Sequence, residues 1–176
     1  IIINAAWSLA TAKHPARVIG DAHYEVAAHL GREKLANMPG LNEFTAAMEK
    51  VFIAADPDGL ALFAAYKSMP LAEDTPARAM QLAVSLREFR GSAHLIAIRA
   101  VGLTSKQAHY VKRPNDMKNF GWGEDDTPLV DDQVRALMVQ AENLTDALCI
   151  PAYAVLNDAE RKALVAGVKA FEAALA

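Results

Sequence analysis

Between Thr75-Pro76 and Gly102 the chain offers a helix start, a helix stop and no proline in between. Threonine caps a helix, proline fits its first position, and glycine follows its end. One helix of this length, near 39 Å at 1.5 Å per residue, is the rod around which the remaining shorter segments must pack. Its faces are unusual. At about 100° per residue, Gln81, Ser85, Glu88, Ser92 and Arg99 share an arc that reads as the wet face. Arg87, Arg90 and His94 fall roughly 160° away, among Met80, Ala83, Ala97, Ile98 and Val101. Two guanidiniums and an imidazole therefore point where the helix is expected to bury itself. A buried charge is costly unless it is paired and hydrogen-bonded. The expectation is an anion at Arg87, Arg90 and His94, either a carboxylate of the protein or a ligand.

The other segments also read as helices. Residues 4–10 form a short one. Residues 14–36 carry Val18, Ala22, Val26 and Leu30 at helical spacing and stop at Met38-Pro39-Gly40. Asn42 is expected to cap a helix bearing Phe44, Met48, Val51 and Phe52. Asp56-Pro57-Asp58-Gly59 is a turn, followed by a short helix with Leu60, Phe63 and Tyr66. Thr104 with Gln107 makes a capping box for a helix to about Arg113. Pro114, Gly121, Gly123 and Pro128 mark a loop over 114–130, anchored by Trp122. Asp131 and Asp132 open a helix carrying Val134, Leu137, Met138 and Ala141. Leu148 to Leu156 reads as two short strands around Pro151. Asn157 with Glu160 starts the last helix, with Leu164, Val168, Phe171 and Leu175.

Helix, helix, helix, hairpin, helix is the order of a winged-helix domain. The expected fold is mainly α: a helical segment over 1–70 packed on a winged-helix-like domain over 71–176, with one small β-hairpin. The stretches Leu86-Arg87-Glu88-Phe89-Arg90-Gly91-Ser92-Ala93-His94, Ala100-Val101-Gly102-Leu103 and Gly121-Trp122 resemble a family of mostly actinobacterial proteins. That family is described as helix-turn-helix or winged-helix-like. Trp7-Ser8-Leu9-Ala10-Thr11 and Leu62-Phe63-Ala64-Ala65 resemble its middle region, so the likeness runs along nearly the whole chain. It implies a fold and a further segment upstream, but no substrate, activity or catalytic residue. Leu156-Asn157-Asp158 departs from the family's Leu-Thr-Pro start of the last helix. The opening at Ile1-Ile2-Ile3, without methionine, also reads as an interior start.

Composition narrows the function classes. The formal net charge of −3 over 176 residues gives no global pull toward nucleic acid or anionic membranes. No apolar run approaches the roughly 18 residues of a membrane span. The single cysteine, Cys149, cannot form an internal disulfide and suits the cytoplasm; it reads as a buried structural thiol. His14, His23 and His29 lack the two-histidine spacing of a zinc helix. Gly-rich phosphate loops and a Gly-x-Ser-x-Gly elbow are absent. No metal or cofactor is called for.

Three functions follow. The leading one is a non-catalytic binding protein that takes a small anionic organic ligand or a protein partner. Its ligand residues are Arg87, Arg90 and His94, with Tyr110 and Trp122 as an aromatic wall. The plainer reading of the same cations is an internal ion-pair network that ties this helix to Asp or Glu from the first half or from the upstream segment. The alternative is a ligand-responsive, winged-helix transcription regulator, with Lys106, Lys112 and Arg113 facing DNA. The third is an enzyme using His94 as acid or base beside Arg87 and Arg90. Charge argues against DNA. The third helix of the winged-helix order carries Asp131, Asp132, Glu142 and Asp146 against Arg135, and the wing holds no lysine or arginine. A helix-turn-helix centred on Gly102 would also put Ile98 where a small residue is usual. The oligomeric state, a homo-oligomer included, is open.

Overall fold

The computed structural model describes residues 2–176, without the side chains of residues 2–4 and of Glu124. The apolar run Ile1-Ile2-Ile3 thus lies outside the described side chains. The helices are α1 (Ile2–Thr11), α2 (Ala16–Leu35), α3 (Leu41–Ala54), α4 (Ala61–Lys67), α5 (Thr75–Ala100), α6 (Ser105–Lys112), α7 (Asp132–Tyr153) and α8 (Asp158–Leu175). Short 3-10 turns span Pro114–Phe120 and Glu124–Asp126. The mainly helical class holds. The hairpin does not: among the described residues there is no strand, and Leu148 to Tyr153 is the last part of α7. Pro151 sits in the final turn of that helix. There its missing N–H leaves only the carbonyl of Ala147, an exposed residue, to water. The wing expected at 148–156 is therefore helix and turn.

Contacts cluster into two compact units, residues 1–19 with 93–148 and residues 20–92 with 149–176. Neither follows the sequence division at residue 70.

The second unit has an aromatic and alanine-rich core. Phe63 stands edge-on to Phe52 at 6.0 Å and tilted to Phe89 at 5.0 Å. Two glycines set how closely its helices approach. A Cβ on Gly31 would lie 2.3 Å from the Pro76 carbonyl oxygen and 2.9 Å from the Met80 Cβ. A Cβ on Gly167 would lie 2.2 Å from the Phe44 ring, which also packs against Phe171 at 5.9 Å.

The N-terminal part of the α5 face read as wet is buried here: Gln81 is 4 % exposed and Ser85 0 %, while Glu88 and Ser92 are half-buried and Arg99 is exposed. The polar atoms of Gln81 and Ser85 are satisfied inside the unit. Ser85 Oγ donates to the Gln81 carbonyl at 2.8 Å, so the Tyr24 hydroxyl is the donor in its 3.1 Å bond to Ser85 Oγ. The Gln81 amide nitrogen reaches the Tyr24 carbonyl at 3.4 Å, and its oxygen accepts the Ala72 N–H at 2.8 Å. Polarity alone does not mark a wet face when partners wait on the neighbouring helix. Cys149 is buried, as expected. Asn42 lies inside the first turn of α3, and Gly40 is the residue before that helix.

Two outcomes follow. Gly31→Ala and Gly167→Ala each lower stability by about 1–3 kcal/mol in denaturant unfolding. Gly20→Ala, where an added Cβ meets nothing within 4 Å, is neutral or stabilising by up to about 1 kcal/mol. Burial pushes the Tyr24 phenol up, against the lowering hydrogen bond with Ser85. A raised folded value gives stability that is complete below the ordinary phenol range, near pH 10, and is lost as pH rises through it. Tyr24→Phe therefore costs about 1 kcal/mol at neutral pH, and its melting deficit shrinks above that range.

Candidate nucleic-acid interface

The first unit is built on one tight turn. Helix α5 stops because Gly102 adopts φ 86°, open to glycine at little cost. The Leu103 N–H bonds the Ile98 carbonyl at 3.0 Å and the Gly102 N–H bonds that of Arg99 at 3.2 Å. This pair of bonds is a Schellman stop, and Leu103 and Ile98 both enter the core, as such stops favour. Thr104 then starts α6 with the expected capping box: its hydroxyl accepts the Gln107 N–H at 3.1 Å, while Gln107 Oε1 accepts the Thr104 N–H at 3.1 Å. Stop and start lie back to back, so the connection is only four residues, the length of a helix-turn-helix. Ile98, Leu103 and Ala108 pack with Val134, Met138 and Ala141 of α7.

This geometry reassigns the second helix of the motif. The connection from α6 to α7 runs over residues 113–131, so the tight turn joins α5 to α6. On α6, Ala108 and Val111 face the core. Ser105, Lys106, His109 and Lys112 then share an adjoining arc of about 120°, with Lys112 at its edge beside Ala108, and Arg113 follows as the non-helical C-cap. The charge objection drawn from Asp131, Asp132, Glu142 and Asp146 concerned α7, whereas the tight turn leads into α6. Charge is segregated along the chain: Arg99, Lys106, Lys112, Arg113 and Lys118 stand against Asp116 over 99–118, whereas 124–146 holds seven carboxylates against Arg135.

Part of that basic arc is already occupied. Lys106 Nζ bonds Asp126 Oδ1 at 2.8 Å, and Asp126 Oδ2 accepts the Gly123 N–H at 3.1 Å. Lys106, and then the Gly123 amide, hold the Asp126 carboxyl below its usual range. Lys112 pairs with Glu142 of α7 at 2.9 Å. The 3-10 turn over 114–120 ends at Gly121, where the Trp122 N–H bonds the Met117 carbonyl at 3.3 Å. That turn returns Trp122 toward α6. His109 meets Phe120 at 4.3 Å and Trp122 at 5.7 Å between ring centroids, and Phe120 stacks on Trp122 at 5.5 Å. The Lys106 ammonium lies 5.6 Å from the Trp122 ring. His109 Nε2 is buried without a hydrogen-bond partner.

A model described as a helix-turn-helix family matches residues 2–176. The chain belongs to this helix-turn-helix family. No curated protein and no solved structure matches it. Among the described residues, no helix is long and apolar enough to cross a membrane.

The three cations singled out on α5 do not share a buried face. Arg87 is 79 % exposed in its side chain and is matched by neighbouring Glu88. Arg90 is exposed and His94 is half-buried. Arg87 and Arg90 belong to one compact unit and His94 to the other. Their burial was inferred by assigning Gln81 and Ser85 to water; once those two are buried, the arginines fall outside. His94 has a defined role in its own unit. Thr145, 0 % exposed, donates its hydroxyl to the Ala141 carbonyl at 2.7 Å, so His94 Nδ1 is the donor in its 2.8 Å bond to Thr145 Oγ1. That bond fixes the neutral ring as the Nδ1–H tautomer. Tyr110 is half-buried, and the described ring partners of Trp122 are His109 and Phe120 instead. Phe120 and Asp126 were missed in the sequence. Their signal was the glycine-bracketed aromatic pair around Gly121 and a carboxylate cluster next to it.

Thr145→Val keeps the shape and removes the acceptor of the His94 N–H. Stability falls by about 1–3 kcal/mol. In nitrogen NMR the His94 ring moves away from a single Nδ1–H tautomer, while Thr145→Ser retains it.

Proposed function

We propose that this chain is a non-catalytic helix-turn-helix protein that docks on duplex DNA through α6, as a regulator of the helix-turn-helix type does. The observation that carries this reading is the placement of Lys106, His109 and Lys112 on the second helix of the tight turn, around the arc that its core-facing Ala108 and Val111 leave free, with Arg113 as its C-cap. In such motifs the second helix meets the major groove. Cations there neutralise phosphates and release counterions. The carboxylates on Lys106 and Lys112 do not block this. Exposed ion pairs contribute only about 0–1 kcal/mol, less than a phosphate contact returns. They do limit strength, so one chain is a binder of roughly micromolar class at physiological salt. Phosphate contacts dominate and base reading is modest.

The test is fluorescence anisotropy with labelled duplexes across a salt series. Binding is expected at low salt, weakening steeply as salt rises. Arg113→Ala weakens it on every sequence and reduces the salt slope by about 1. Absence of binding at low salt, or affinity indifferent to salt, overturns the proposal.

A small anionic ligand is the second reading, favoured by one observation: His109 Nε2 is buried and unpartnered, with the His109 ring against Phe120 and Trp122 and the Lys106 ammonium over Trp122. Benzoate and inorganic phosphate are its probes. Saturable change in Trp122 fluorescence with either, in a chain that ignores duplex DNA, favours this reading over the first. The ligand site first placed at Arg87, Arg90 and His94 has no comparable support.

A further inference from the structure

We infer that residues 114–126 form a built-in mask over the basic face of α6, in which Asp126 holds on Lys106 the place that a phosphate takes when nucleic acid docks. The inference rests on the DNA reading above and adds its regulation. Asp126 copies the way a phosphate is gripped. One carboxylate oxygen takes the Lys106 ammonium at 2.8 Å and the other takes a backbone N–H, that of Gly123, at 3.1 Å. Phosphates at protein surfaces are held by the same combination of ammonium and backbone amide. The aromatic pair completes the cover. Phe120 and Trp122 lie against His109, the middle residue of the arc whose two ends are Lys106 and Lys112. Glu142 matches Lys112 from α7, so carboxylates from two directions stand on the cations of one helix.

The mask is also weakly held, which makes it displaceable. The side chain of Asp126 is 48 % exposed, so its ion pair is a surface pair. Docking the rings on His109 leaves Nε2 buried with no partner, a cost that offsets part of what the ring contacts contribute. Lifting the segment lets His109 meet water or a phosphate oxygen. Docked DNA therefore supplies a partner to each group that the mask satisfies poorly.

The experiment uses the Trp7→Phe chain, in which Trp122 is the only tryptophan because the sequence holds two. Asp126→Asn is compared with Asp125→Asn, which removes the same charge one residue away. Thermal melts of both variants check that the fold is retained. Without DNA, Asp126→Asn is expected to raise acrylamide quenching of Trp122, while Asp125→Asn leaves it unchanged. With a duplex at fixed salt, Asp126→Asn tightens binding about tenfold if the masked form holds about nine-tenths of the molecules. Asp125→Asn tightens it only about two- to threefold, through net charge. Adding duplex to the Trp7→Phe chain also exposes Trp122. Equal tightening by the two variants, or binding with Trp122 still shielded, overturns the mask and leaves the DNA reading standing. Failure of every variant to bind at low salt removes both.

Discussion

The first unit depends on a helix stop set directly against a helix start. Gly102 lets α5 end with two backbone bonds that satisfy its last carbonyls, and Thr104 with Gln107 satisfies the first N–H groups of α6. With so few residues between them, the direction of α6 is determined by local hydrogen bonding before any packing is considered. Packing then agrees with it. Leu103, inside the turn, is buried in the same core as Ile98, Ala108, Val134 and Met138. Ile98 stands where a small residue is usual in this motif. The core holds it at 4 % exposure in a cluster that includes the small residues Ala97, Ala108 and Ala141.

Much of the fold was legible because it was written in local chemistry. The capping boxes at Thr104 and Asn157 appear as expected. The Asp56–Gly59 turn closes with the Asp58 N–H on Asp56 Oδ1 at 2.9 Å. The long helix runs from Thr75 to Ala100. What was not legible depended on neighbours distant in sequence. Gln81 and Ser85 looked wet, and Arg87 and Arg90 looked buried, because one helical period can be read from either side when polar residues lie on both. Tyr24 and the Ala72 N–H settle the choice, and neither lies within the helix being read. Leu148 to Leu156 looked like strands because the run is short, apolar and centred on proline. Its continuity with the capped helix that begins at Asp132 decides otherwise.

The candidate site was legible in part and for similar reasons. Lys106, Lys112, Arg113 and Trp122 were visible as residue types with a purpose. Their meaning turned on which helices share the tight turn. Counting elements along the chain made α7 the reading helix, with its carboxylates as an objection. The bonds around Gly102 place the tight turn between α5 and α6, and of the α7 carboxylates Glu142 pairs with Lys112. Glu142 thus changes from evidence against a basic face to a partner of Lys112, and Asp126, which was no part of that objection, pairs with Lys106.

Those two in-chain pairs have a consequence for ion thermodynamics. A lysine that meets a phosphate from open water lets counterions leave the DNA without further change. For the proposed docking, Lys106 and Lys112 would first have to give up Asp126 and Glu142, and each freed carboxylate would gather cations of its own. The net number of ions released on docking is then smaller than the number of phosphates touched. Under the proposed docking on DNA, the salt dependence of binding understates the size of the contact. Arg113 contributes its full share to that dependence, and the two lysines contribute less.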